Sequence, residues 1–120
     1  MNYRRIIMVM AALFLLSVIA AGAEEKFGVQ VYGGAKFDAV TSKNVSESTS
    51  VNAACYRTND SVAKVAEFYK KQPKMEYTGG EKVAAAFTNG QVDVTIQNPW
   101  VDMKTGKMMM DTLITIVKHD

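Results

Sequence analysis

Between residues 58 and 73 the chain reads TNDSVAKVAEFYKKQP, and its apolar positions recur at spacings of three and four. Val62, Val65, Ala66 and Tyr69 fall on one stripe with Phe68 at its rim, while Lys64, Glu67 and Lys71 lie opposite. That period is helical. Asn59 or Asp60 is placed to cap the helix, and Pro73 stops it. A helix this short is marginal alone, so its apolar stripe must dock on a partner surface.

The partner surface comes from segments with period two. FGVQVY (27–32) and SVNAACYRT (50–58) read as strands, and Gly33-Gly34 breaks the chain after the first. AKFDAVTSK (35–43) is weakly strand-like, and the polar, serine-rich NVSESTS (44–50) reads as a mobile loop. Further on, KVAAAFTNGQVDVTIQ carries Asn89-Gly90, the dipeptide favoured in two-residue type I′ turns. That turn sets Phe87 opposite Val92, Ala85 opposite Val94 and Val83 opposite Ile96, so one face is apolar throughout. Asp93, Thr95 and Gln97 fall on a wetter face. A second hairpin turning at Gly106 sets Ile96 opposite Ile114 and Val94 opposite Ile116, and it places Met110 opposite Trp100. A bulge at Pro99 or Gly106 flips part of this register. The expected fold is α+β: an antiparallel β meander with one main amphipathic helix packed on its apolar face, in two layers.

The N-terminus changes the picture of compartment. Arg4 and Arg5 precede an apolar run from Ile6 to Ala21, interrupted by Ser17 and closed by Ala21-Gly22-Ala23. This is the pattern of a cleavable secretory signal peptide over residues 1–23, leaving one small domain over 24–120. The run is shorter than the ~20 residues of a bilayer span, so no stable membrane insertion is expected after cleavage. Export, to the periplasm or outside the cell, is the expected localisation. The formal net charge of +2 counts Arg4 and Arg5. Without them the domain is neutral, which gives no electrostatic case for nucleic acid. Cys55 is the one cysteine, so no disulfide forms within a chain, and its apolar neighbours suit a buried thiol.

Candidate chemistry is sparse. The single histidine, His119, stands one residue from the C-terminus, where mobility is the expectation. Asp93 and Asp102 have no evident partner, and no nucleophile motif, zinc cluster or calcium loop is present. No catalytic residue and no cofactor is therefore assigned. Thioether sulfur binds soft ions such as Cu(I), and DMKTGKMMMDTLI offers Met103, Met108 and Met110 as weak candidate ligands. Strand alternation turns Met109 away from Met108 and Met110, and His119 is roughly 30 Å further along an extended strand at ~3.3 Å per residue. The competing reading makes the methionines part of the core, in contact with Trp100. Tyr32 and Trp100 are the weak candidates for binding a ligand or partner, because aromatic side chains near turns serve as anchors.

VYGGAKFD, YRTNDSVAKVAEFYKK and PWVDMKTGKMMMDTLITIVK together resemble a group of small exported bacterial domains of unknown function. That group carries a Tyr-Pro-Gly-Ala stretch, a Thr-x-Asp-Ser helix ending in Phe-Tyr-Lys, and an Asp-x-x-Thr-Gly hairpin. Here Gly33 stands where the group has proline. The resemblance implies an exported α+β domain and brings no active site. The expected function is an exported, non-enzymatic domain binding an envelope protein or a small ligand. A Cu(I) binder and an enzyme of unrecognised type are the alternatives.

Overall fold

A computed structural model describes residues 24–80 and 82–119. The expected signal peptide lies outside the described residues. The chain divides between Gly33 and Gly34 into two compact units. In the first, β1 (Glu25–Lys26) and β2 (Val29–Gln30) form an antiparallel hairpin. Phe27 and Gly28 form its two-residue turn, both with positive φ, as a type I′ turn requires. FGVQVY is therefore a turn followed by a strand rather than one strand.

The second unit is an α+β domain. Its strands are β3 (Lys36–Phe37), β4 (Asn52–Thr58), β5 (Glu76–Gly79), β6 (Ala84–Thr88), β7 (Val92–Gln97), β8 (Trp100–Val101), β9 (Met108–Met109) and β10 (Thr112–Lys118). Six of them make one antiparallel sheet in the order β3-β4-β10-β7-β6-β5. Strands β5, β6, β7 and β10 follow one another as a meander, and β4 joins the far side of β10. Two helices pack on this sheet: α1 (Ala39–Thr49) and α2 (Val62–Lys70).

Helix α2 buries Val62, Val65, Ala66 and Tyr69, the stripe read from its periodicity. Its cap is Ser61 rather than Asn59 or Asp60: the Ser61 hydroxyl accepts the Lys64 N–H. The carbonyl of Asp60 is instead taken by the hydroxyl of buried Thr112. Tyr69 stacks at 5.9 Å on Phe87, over a sheet face that carries Ala85, Val94, Ile96, Ile114 and Ile116. At roughly 1.5–3 kcal/mol for each large apolar side chain buried, this face is the main source of stability.

The β7–β10 register is the expected one, with Ile96 opposite Ile114 and Val94 opposite Ile116. The β6–β7 register is two residues away from expectation: Phe87 pairs with Val94 and Ala85 with Ile96. The Asn89 side chain is the cause. Its carbonyl oxygen accepts the N–H groups of Gln91 and Val92, and only Gly90 of the pair takes positive φ. This side-chain turn outcompetes the two-residue type I′ loop. A shift of two preserves which side chains share a face, so the apolar face survives and only Val83 is lost from it, exposed at 61%.

The larger correction is α1. The segment expected as weak strand and mobile loop is an eleven-residue helix. Asp38 caps it, accepting the Thr41 N–H at 2.9 Å and the Thr41 hydroxyl at 2.8 Å. Its serines are used by tertiary structure. Strand β3 pairs with only two residues of β4, which leaves the rest of that sheet edge open. Ser42 Oγ accepts the Cys55 N–H at 2.7 Å, and Ser46 Oγ accepts the Ala53 N–H at 3.1 Å and donates to the Ala53 carbonyl. Four helical residues advance about 6 Å, and two strand residues about 6.6 Å. Serines four apart on α1 thus match edge groups two apart on β4.

Candidate functional site

The second sheet face carries Cys55, Leu113, Thr115 and Val117 with Thr95 and Gln97, by the alternation that points their neighbours at α2. Helix α1 and the β8–β9 hairpin rise from this face, and a groove of about 540 Å³ opens between them. Leu113, Thr115 and Val117 line it from the sheet, Val45 from the helix, and Pro99 and Trp100 from the start of the hairpin. Most of the lining is apolar, and the volume lies in the ~300–1,000 Å³ range of small-molecule sites.

Trp100, one of the two aromatic candidates, is part of this groove. It is almost fully buried in a cluster with Cys55 and Leu113, with Val45 and Met109 packed alongside. The other candidate, Tyr32, belongs to the N-terminal unit and is half-buried there. The cysteine is free and buried, and burial first of all raises its pKa, keeping the thiol neutral.

The expected pairing of Met110 with Trp100 does not occur. Trp100 pairs with Met109, and Val101 with Met108. The chain keeps its expected register through β7 and β10 and slips by one residue between that sheet and the hairpin, where Asn98-Pro99 is a cis peptide bond. A slip of one exchanges faces. Met109 therefore turns to the core cluster, whereas Met108 and Met110 are exposed at 59% and 74%. Met103, 60% exposed, lines the groove, and its sulfur accepts a weak hydrogen bond from Ser48 at 3.9 Å.

A charged network fixes both walls of the groove. Asp111 accepts the Trp100 indole N–H at 3.0 Å on one oxygen and the Arg57 Nε–H at 2.7 Å on the other. The Arg57 guanidinium lies 5.2 Å from the Trp100 ring centroid and 3.5 Å from Asp38. One arginine thus holds the residue that caps α1 and the residue that anchors the hairpin. Burial works to raise the Asp111 pKa, but the Arg57 and Trp100 hydrogen bonds outweigh it and hold the carboxyl below its ordinary value. Sequence reading missed Arg57, Asp38 and Asp111. One signal was available: Arg57 is the single arginine after Arg5, and its guanidinium suits bidentate or stacked contacts that lysine does not make.

Two carboxylates expected to lack partners have them. Asp102 accepts the Lys104 and Thr105 backbone N–H groups at the hairpin turn, and these bonds lower its pKa. Asp93 is lowered by a Thr88 hydrogen bond and by His119, whose ring nitrogen lies 2.6 Å away. His119, expected to be mobile, is tied down by this pair and by its backbone bond to Gln91. Among the described residues no three His, Cys, Asp or Glu side chains are grouped to hold a metal ion, and no helix is long and apolar enough to cross a membrane. The chain matches no family model, no curated protein and no solved structure.

Proposed function

We propose that this protein is an exported, non-enzymatic domain that binds a small, largely apolar ligand in the groove between α1 and the β8–β9 hairpin. The observation that carries the reading is the groove itself. It has an apolar lining over a sheet face, and its two walls are locked by a shared Arg57 network. Preorganised walls lower the entropy cost of binding. Export is supported by the Arg4-Arg5 start, the apolar run and Ala21-Gly22-Ala23.

A protein partner adding a strand has less support. The β4 edge is occupied by Ser42 and Ser46, and β5 at the other edge is four residues long with an irregular register. The copper reading also has less support, because only Met103 of its three candidates lines the groove.

Trp100 is the one tryptophan, so its fluorescence reports the groove directly. Titration of the mature protein with a panel of uncharged apolar and aromatic small molecules should shift Trp100 emission saturably. Val117→Phe, which places a ring in the groove, should abolish the shift while leaving the circular dichroism spectrum unchanged. No saturable binder in the panel, or binding untouched by Val117→Phe, overturns the reading.

A further inference from the structure

Three methionines of the hairpin segment are exposed, Met103, Met108 and Met110, and the first differs from the others. Met103 alone accepts a hydrogen bond among the described residues: the Ser48 hydroxyl, at the end of α1, lies 3.9 Å from its sulfur. This contact joins the two walls at the mouth of the groove. Met103 lines the groove and also a second, more open hollow of about 350 Å³, which it shares with Asn44, Glu47, Ser48 and Lys104. The turn that presents it is fixed. Asp102 accepts the Lys104 and Thr105 N–H groups on its side chain and the Gly106 N–H on its carbonyl.

The contact is weak for a chemical reason. Ser48 has one hydroxyl proton and two distant acceptors, the Met103 sulfur and the Val45 carbonyl at 3.3 Å. A thioether sulfur is a poor acceptor, whereas a sulfoxide is polar. From this juxtaposition, and resting on the groove reading above, we infer that Met103 is a reversible oxidation site that latches the mouth of the groove. Its sulfoxide oxygen takes the Ser48 hydroxyl and ties the hairpin turn to the end of α1. The oxidant is a hydroperoxide. The sulfur gives an electron pair to one peroxide oxygen, the O–O bond breaks, and the departing hydroxide takes the proton from the new S–OH group and leaves as water. The sulfur is oxidised and the peroxide reduced by that one pair. A dithiol reductase reverses the step: its thiols become a disulfide and the oxygen leaves as water. The product is a neutral dipole, so the net charge around the hollow does not select it. Glu47 faces Lys43 at 3.9 Å, and the Asn44 amide and Lys104 ammonium stand with Ser48 as donors along the same lining.

The test uses the mature protein, hydrogen peroxide as oxidant and N-phenyl-1-naphthylamine, from the uncharged aromatic panel, as probe of the groove. Peptide mapping should place a sulfoxide on Met103. Amide hydrogen exchange over residues 101–108 and the last turn of α1 should then slow by about two- to tenfold, the strength of one net hydrogen bond. Dissociation of the probe should slow by a similar factor. Reductases for the two sulfoxide epimers should restore both rates. Met103→Leu has no sulfur to oxidise there, and Ser48→Ala oxidises but has no hydroxyl to give. Both should bind the probe as the reduced wild type does, and neither should respond to peroxide. Slowing that persists in Met103→Leu assigns the effect to another methionine and overturns the proposal. Slowing that persists in Ser48→Ala overturns the latch, as does unchanged or faster exchange in the oxidised wild type; in each case probe binding leaves the groove reading intact. If neither this probe nor any other member of the panel binds the reduced protein, the groove reading fails and takes the gating with it.

Discussion

Arg57 makes a hydrogen-bonded ion pair with Asp111, a longer contact with Asp38 and a stacking contact with Trp100. Charge-assisted hydrogen bonds contribute about 1.5–3 kcal/mol, and the 35% exposure of the Arg57 side chain places this one toward the low end. Asp111→Asn keeps an acceptor for the Trp100 indole but removes the charge facing Arg57. It should cost about 1–2 kcal/mol at pH 7, read by denaturant unfolding. The pH dependence has a definite sign. The folded-state pKa of Asp111 lies below its unfolded value, so its contribution is complete above the unfolded pKa of ~3.9 and is lost as pH falls through the folded one. The stability gap between wild type and Asp111→Asn should therefore narrow below about pH 4. A gap constant from pH 7 to pH 3 contradicts the pairing. Asp93 and Asp102 are lowered too, so the wild type as a whole should lose stability over the same acid range.

At the scale of elements, α1 is held by tertiary hydrogen bonds more than by an apolar stripe. Ser42→Ala leaves the buried Cys55 N–H without its acceptor and should cost about 1–3 kcal/mol. Ser46→Ala, at a partly buried edge, should cost about 0.5–1.5 kcal/mol. If both serines are replaceable without change in unfolding midpoint, α1 does not close the sheet edge in this way. The β8–β9 hairpin makes a separate prediction about register. Mild peroxide treatment with peptide mapping should oxidise Met103, Met108 and Met110 faster than Met109, because only Met109 packs on the Trp100 cluster. Had Met110 faced Trp100, the protected position would be Met110. The α2 stripe and the β7–β10 pairing were legible beforehand because apolar periodicity reports burial against one broad surface. Helix α1 was not: its serines bond a strand from the next segment, and no local pattern of polar residues encodes that.

At the scale of the whole α+β unit, the sheet separates a closed face, covered by α2, from a face that carries the groove. Ile116 and Val117 are neighbours in β10 and point to opposite sides. Ile116→Phe forces a larger ring into the packed face under α2 and should cost about 1–3 kcal/mol. Val117→Phe projects into the groove and should change stability by less than about 1 kcal/mol, within the range of substitutions away from packed sites. Equal costs at the two positions indicate that the groove is filled in solution. Because the walls of the groove share Arg57, Asp111→Asn should also weaken ligand binding without touching the lining.

What the sequence determined alone is what depends on chain-local periods. The α2 stripe follows from a period of 3.6, and the division of strand side chains into an apolar and a wetter face follows from a period of 2. The β6–β7 register moved by two residues without disturbing that division, since an even shift preserves face. Tertiary structure decided whatever depends on an odd shift or a distant partner. The one-residue slip between the main sheet and the hairpin chose Met109 over Met110 for the core. The closure of the β4 edge made a helix of a serine-rich segment. The meeting of Asp38, Arg57, Trp100 and Asp111, drawn from four separate elements and loops, built the groove walls. Hydrophobic periodicity carries no record of such meetings, because they are set by where strands come to lie beside one another.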